Sequence, residues 1–129
     1  CIPCIDCKCW YLYHRFDVYN QFGVRAMSLR KKQSKFAHMV ALLILYAEQL
    51  GYKVTLGDCY RDSRCNYGHK KSLHRLRLAI DLNLFDKDGN YLTDGTGHIE
   101  LHTFWTKMGG SAPIEDDMNH YSLEHNGVR

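Results

Sequence analysis

Apolar residues recur at steps of three and four between positions 34 and 50, where Phe36, Val40, Leu43, Ala47 and Leu50 share one helical face. The spacing predicts a helix over 34–50, with Ser34 as its N-cap and Gly51 closing it. Leu42, Ile44 and Leu45 widen the apolar stripe, so most of this helix is expected to be buried. The period then falls to two: Tyr52, Val54 and Leu56 alternate with Lys53 and Thr55, the mark of a short strand. Residues 58–73 are polar and contain glycine, hence a loop.

The most regular stretch of the chain follows. Leu76, Leu78, Ile80, Leu82 and Leu84 hold one parity, and Arg77, Ala79, Asp81 and Asn83 hold the other, which predicts a strand with one apolar face. Asp86-Lys87-Asp88-Gly89-Asn90 begins like a calcium loop, but the sixth position would be Tyr91 and the twelfth Gly97, where such loops need Gly and Glu. A hairpin turn fits it better. Leu101, Phe104, Trp105 and Met108 predict a second helix ended by Gly109 and Gly110. Pro113 opens a loop, and His120, Tyr121 and Leu123 suggest a last strand. Helices segregated from a small antiparallel sheet place the chain in the α+β class.

The 129 residues fit one domain, and 45% apolar residues can close a core without crosslinks. The formal charge of +3 is mild, and its cations are spread out: Arg30, Lys31, Lys32 and Lys35 open the first helix and read as a solvated face. Arg61, Arg64, Lys70, Lys71, Arg75 and Arg77 surround the centre of the chain. No nucleic-acid recognition motif accompanies that charge, so nucleic acid is not expected as a partner. The longest apolar run, Met39 to Ala47, is about half of the roughly 18–20 residues that a membrane span needs. No secretory leader is visible, so a cytoplasmic location is the expectation.

Four of the six cysteines (Cys1, Cys4, Cys7 and Cys9) crowd the start, without a second set of metal ligands at finger-like spacing. The expectation is that residues 1–26 are an appendage that is not native to the product, and that the domain runs over 27–129 from Met27. Cys59 and Cys65 flank a short loop and are expected as free thiols.

Candidate chemistry enters at Ser72-Leu73-His74 and the strand that follows it. His74 and Asp81 have opposite parity and cannot face the same side of one regular strand. A shared site therefore requires His74 to lie in a turn before the strand, where residues 70–73 do break the pattern. Far along the chain, Asp117 stands three residues before His120 at the entry to the last strand. A hydrolytic zinc site needs three protein ligands, an open position and a nearby base. His74, Asp81 and His120 can supply the ligands and Asp117 the base.

Ser-x-His followed by Ala-x-Asp and a distant acid-x-x-His resembles the zinc D-alanyl-D-alanine peptidase family, which includes phage L-alanyl-D-glutamate endopeptidases and shares its metal fold with the Hedgehog signalling domain. The resemblance runs from about Met27 to Arg129. It implies a Hedgehog/DD-peptidase-like fold, Zn2+ on His74, Asp81 and His120, and Asp117 as catalytic acid/base. It also implies Arg61 as a catalytic and substrate-binding arginine and Ser72 as a substrate-positioning serine. The implied activity is hydrolysis of the peptidoglycan stem peptide by a monomeric, endolysin-like endopeptidase. The alternatives are a D-alanyl-D-alanine carboxypeptidase or dipeptidase, or a zinc-stabilised binding domain without turnover. One departure stands out: Arg77 occupies a position where the family has Gly, and on the Asp81 face it would crowd the site or bind an acidic group. The other histidines read more plainly, His14 and His38 as surface or helix residues and His98 and His102 as structural. His69 and His125 also read plainly, with the rim of the site as the lesser alternative for His69 and a place behind a ligand as the lesser alternative for His125.

Overall fold

A computed structural model describes residues 27–129. Cys1, Cys4, Cys7, Cys9, His14 and the appendage expected over 1–26 lie outside the described residues. The elements run α1 (Leu29–Gln49), β1 (Lys53–Leu56), a 3-10 turn (Leu73–Leu76), β2 (Ala79–Phe85), α2 (Thr96–Lys107) and β3 (His120–Ser122). Among the described residues two helices flank a three-stranded antiparallel sheet of order β1-β2-β3, so the class is α+β as expected.

α1 starts five residues before the position that periodicity predicts. Its N-cap is Ser28, whose Oγ accepts from the Lys31 amide at 3.4 Å, whereas Ser34 lies inside the helix and accepts from Arg30. The first turns carry cations in place of apolar residues, so periodicity could not find them. Those cations are not all solvated: Lys32 and Lys35 are buried. Lys32 Nζ donates to the Glu124 carbonyl and meets His125 Nδ1, both at 3.2 Å, tying α1 to the C-terminal segment. Long lysine stems bury well when the ammonium finds oxygen or nitrogen partners. At the other end Gly51 takes φ +93°, the left-handed conformation that commonly closes a helix.

β2 is the central strand. Its C-terminal half pairs with β1 (Val54 opposite Leu84, Leu56 opposite Leu82), and its N-terminal half pairs with β3 (Ile80 opposite Tyr121, Asp81 opposite His120). Leu78, Ile80, Leu82 and Leu84 are buried, as their shared parity predicts. They join Met39, Leu43 and Ala47 of α1 and Leu101 and Trp105 of α2 in one core. Trp105 meets Phe36 edge to face with centroids 5.7 Å apart and donates its indole N–H to the Ser122 carbonyl, which locks α2 to both α1 and β3. β1 contributes less: Leu56 is 58% exposed and only Val54 is half-buried. The β2 exit closes as a hairpin turn, with Asp86 Oδ1 accepting from the Asp88 and Asn90 amides and Gly89 at φ +85°. Among the described residues no helix is long and apolar enough to cross a membrane.

Candidate metal centre

Backbone pairing brings the first two site residues together. The Asp81 N–H donates to the Asp58 carbonyl, and its C=O accepts from Gly57 at 2.8 Å, so both main-chain groups turn toward the β1 exit. Asp81 and His120 are therefore an antiparallel pair of the kind without mutual backbone bonds, whose side chains approach most closely. Gly57 makes this possible: a Cβ there would sit 3.1 Å from the Asp81 carbonyl oxygen and 3.2 Å from its Cβ.

His74 arrives from outside the strand, in the 3-10 turn that the parity argument requires. Ser72 caps that turn, its Oγ accepting from the His74 amide at 3.4 Å. The His74 carbonyl in turn accepts from the amides of Arg61 and Arg77 at 3.2 and 3.3 Å. The imidazole is buried, and its Nδ1 has no hydrogen-bond partner among the described residues, so the turn and its packing orient the ring.

Three donor atoms from three separate places converge. His120 Nδ1 is 3.1 Å from Asp81 Oδ1, His74 Nε2 is 3.3 Å from the same oxygen, and the two nitrogens are 3.2 Å apart. Hydrogen bonding alone satisfies this triangle poorly. A carboxylate only accepts, so if both imidazoles donate to Oδ1, two N–H groups face each other across 3.2 Å. A cation among the three atoms takes a lone pair from each. Tetrahedral zinc, with ligands at about 2.0–2.1 Å, has donor–donor edges of roughly 3.3 Å, and the observed triangle matches one face of that tetrahedron. Two imidazoles and a carboxylate are also a donor set that suits zinc. His74, Asp81 and His120 thus form a group that can hold a metal ion, the one such group among the described residues. Burial pushes the Asp81 carboxyl up, but hydrogen bonds from His120 and His74 outweigh it and hold the group at about 2, so this carboxylate is ionised at neutral pH.

Arg61 and Ser72 belong to the wall beside His74. Asp58 Oδ2 accepts from Arg61 Nη2 at 2.6 Å and from Nε at 3.2 Å, and Nη1 donates to Ser72 Oγ at 3.3 Å. The guanidinium also lies 4.8 Å from the Tyr67 ring centroid, over Gly68, where any Cβ would collide with Nη1. Ser72 Oγ therefore links Arg61 to the His74 amide. Asp117 is exposed, and its carbonyl accepts the His120 amide at 3.1 Å, so base candidate and ligand share one turn.

Arg77 does not stand on the Asp81 face. It terminates the 3-10 turn at φ +56°, ψ +38°, before β2 begins, and its exposed guanidinium lies 4.0 Å above the Tyr60 ring. A left-handed residue is where glycine has no steric penalty, so the backbone at Arg77 favours a glycine over the arginine it carries. His69 is exposed and accepts from the Lys71 amide, and His125 contacts Lys32 rather than a metal ligand. Cys59 and Cys65 are free thiols.

Behind β3, α2 presents two buried imidazoles. His98 Nδ1 is 2.7 Å from Tyr121 Oη, and His102 Nε2 is 2.7 Å from the Met118 carbonyl. Burial holds both below the usual histidine range, His98 at about 4 with the neighbouring His102 adding to the effect. The structural role expected for them is what the contacts show.

Sequence reasoning missed Gly57 and Asp58. Their signals were present, a glycine directly after a strand and an acid three residues before an arginine, but neither pattern is specific. No protein-family model matches the chain and no curated protein matches it, so the family resemblance rests on the motif residues themselves.

Proposed function

We propose that this protein is a zinc-dependent peptidase of the Hedgehog/DD-peptidase fold that hydrolyses the stem peptide of bacterial peptidoglycan, with an L-alanyl-D-glutamate endopeptidase as the preferred activity. The observation that carries the reading is the convergence of His74 Nε2, Asp81 Oδ1 and His120 Nδ1 at mutual distances of 3.1–3.3 Å. The resemblance of the Ser72–Asp81 and Asp117–His120 motifs to the wall peptidases supports the substrate class, and the mild positive charge suits an anionic polymer.

When bound, zinc supplies Lewis-acid polarisation of a carbonyl and acidifies water held in its open position. The remaining work falls to side chains. Asp117, one turn before His120, takes the proton of the attacking water and returns it to the leaving amine. Arg61, fixed by Asp58 and Ser72, orients a carbonyl or carboxylate of the stem peptide. Ser72 keeps the His74 turn in place.

The test is digestion of purified cell wall by the zinc-loaded protein, with the new termini identified by mass spectrometry. New L-alanine carboxyl ends support the endopeptidase. Release of free D-alanine reassigns the chain to the carboxypeptidase class, and an unchanged wall removes the peptidase reading.

A further inference from the structure

His102 takes no part in the reaction proposed above, yet it is a buried polar side chain on α2 that touches the segment carrying His120. Its Nε2 lies 2.7 Å from the Met118 carbonyl, inside the turn that the His120 amide closes on the Asp117 carbonyl. A carbonyl only accepts, so Nε2 carries the proton and donates. The same ring stacks on Tyr121, with centroids 4.3 Å apart and planes 15° from parallel. Tyr121 is held from its far end by His98. Met118 is confined as well: a Cβ on Gly95, the N-cap of α2, would stand 3.3 Å from Met118 Cβ. One helix thus grips the residues on both sides of His120, through a donated hydrogen bond at 118 and a ring face at 121.

We propose that His102 is a positioning residue for the metal centre: by donating to the Met118 carbonyl it sets the Asp117–His120 turn, so that His120 Nδ1 completes the ligand triangle and Asp117 is presented beside it. The proposal rests on the metal-site reading of His74, Asp81 and His120. Without the donor, the Met118 carbonyl is left unsatisfied against the helix and the turn relaxes toward water. Partners one step behind a ligand typically govern metal affinity by about 10–100-fold.

Two variants separate the donor from the packing. His102→Phe keeps an aromatic face for Tyr121 and loses the N–H; His102→Gln keeps an N–H donor and loses the ring. Zinc affinity by chelator competition and the visible spectrum of the cobalt-substituted protein are read on each, beside circular dichroism to confirm folding. His102→Phe is expected to bind zinc at least about tenfold more weakly and to shift the cobalt bands, whereas His102→Gln stays within about threefold of the parent and keeps its spectrum. A folded His102→Phe protein with parental affinity and spectrum overturns the proposal. So does a tenfold loss in folded His102→Gln, which stands as the deciding result if the Phe variant fails to fold. Failure of the parent itself to bind zinc or cobalt removes the metal-site reading, and this inference with it.

Discussion

His74 Nε2 and His120 Nδ1 lie 3.2 Å apart, although 46 positions separate the two residues in the chain. Two nitrogens held at that distance around one carboxylate oxygen are poorly satisfied by protons and well satisfied by a shared cation. Removing one ligand should therefore cost more than the roughly 10–100-fold typical of outer partners. His120→Ala and Asp81→Ala are expected to lose stoichiometric zinc on gel filtration, with metal content measured by mass spectrometry, while the parent retains one equivalent.

Asp117 is exposed and contributes no atom to the ligand triangle. Asp117→Ala should keep the metal content of the parent, and its cell-wall hydrolysis should fall by on the order of 10²–10⁴-fold, the range of a lost general base. Undiminished turnover would take Asp117 out of the role.

Acid sensitivity follows from Asp81. Its folded pKa of about 2 lies below the ordinary value of 3.8, so its contribution to stability is complete above pH 4 and is lost as the pH falls toward 2. The shift corresponds to about 2 kcal/mol. In metal-free protein, urea unfolding at pH 6 and at pH 2.5 should show this loss, and Asp81→Asn should flatten that part of the pH profile. A profile identical to the parent would contradict the assignment.

Arg77 carries a backbone cost. Its left-handed conformation disfavours a side chain by roughly 1–2 kcal/mol, and an exposed contact with the Tyr60 ring returns about 0.5–1 kcal/mol. Arg77→Gly should leave stability unchanged or raise it by up to about 1 kcal/mol, while Arg77→Val, β-branched in the same conformation, should lower it. Denaturant midpoints of the three proteins check the order.

β2 was legible because Leu78, Ile80, Leu82 and Leu84 at strict alternation leave one register, although Leu76, which continues the parity, lies in the 3-10 turn; the opposite parity of His74 and Asp81 required that turn. The hairpin at Asp86–Asn90 and the glycine ends of both helices follow from local chemistry and were equally readable. Periodicity did not reach the start of α1, because its first turns are cationic, and reading those cations as a solvated face missed the burial of Lys32, which depends on Glu124 and His125, 92 and 93 residues away. Arg77 read as a strand residue because parity continues through it, although the left-handed backbone that ends the 3-10 turn removes it from the strand. Arg61's anchoring by Asp58 and His102's bond to Met118 join residues that no periodicity relates.

The most direct test of the metal centre is zinc-edge X-ray absorption of the full chain loaded with one equivalent of zinc. Binding by His74, Asp81 and His120 predicts a nitrogen and oxygen shell at about 2.0–2.1 Å with the multiple scattering of two imidazoles and no sulfur. A sulfur shell at about 2.3 Å, which would place the metal on cysteines, or the absence of bound zinc, would contradict it.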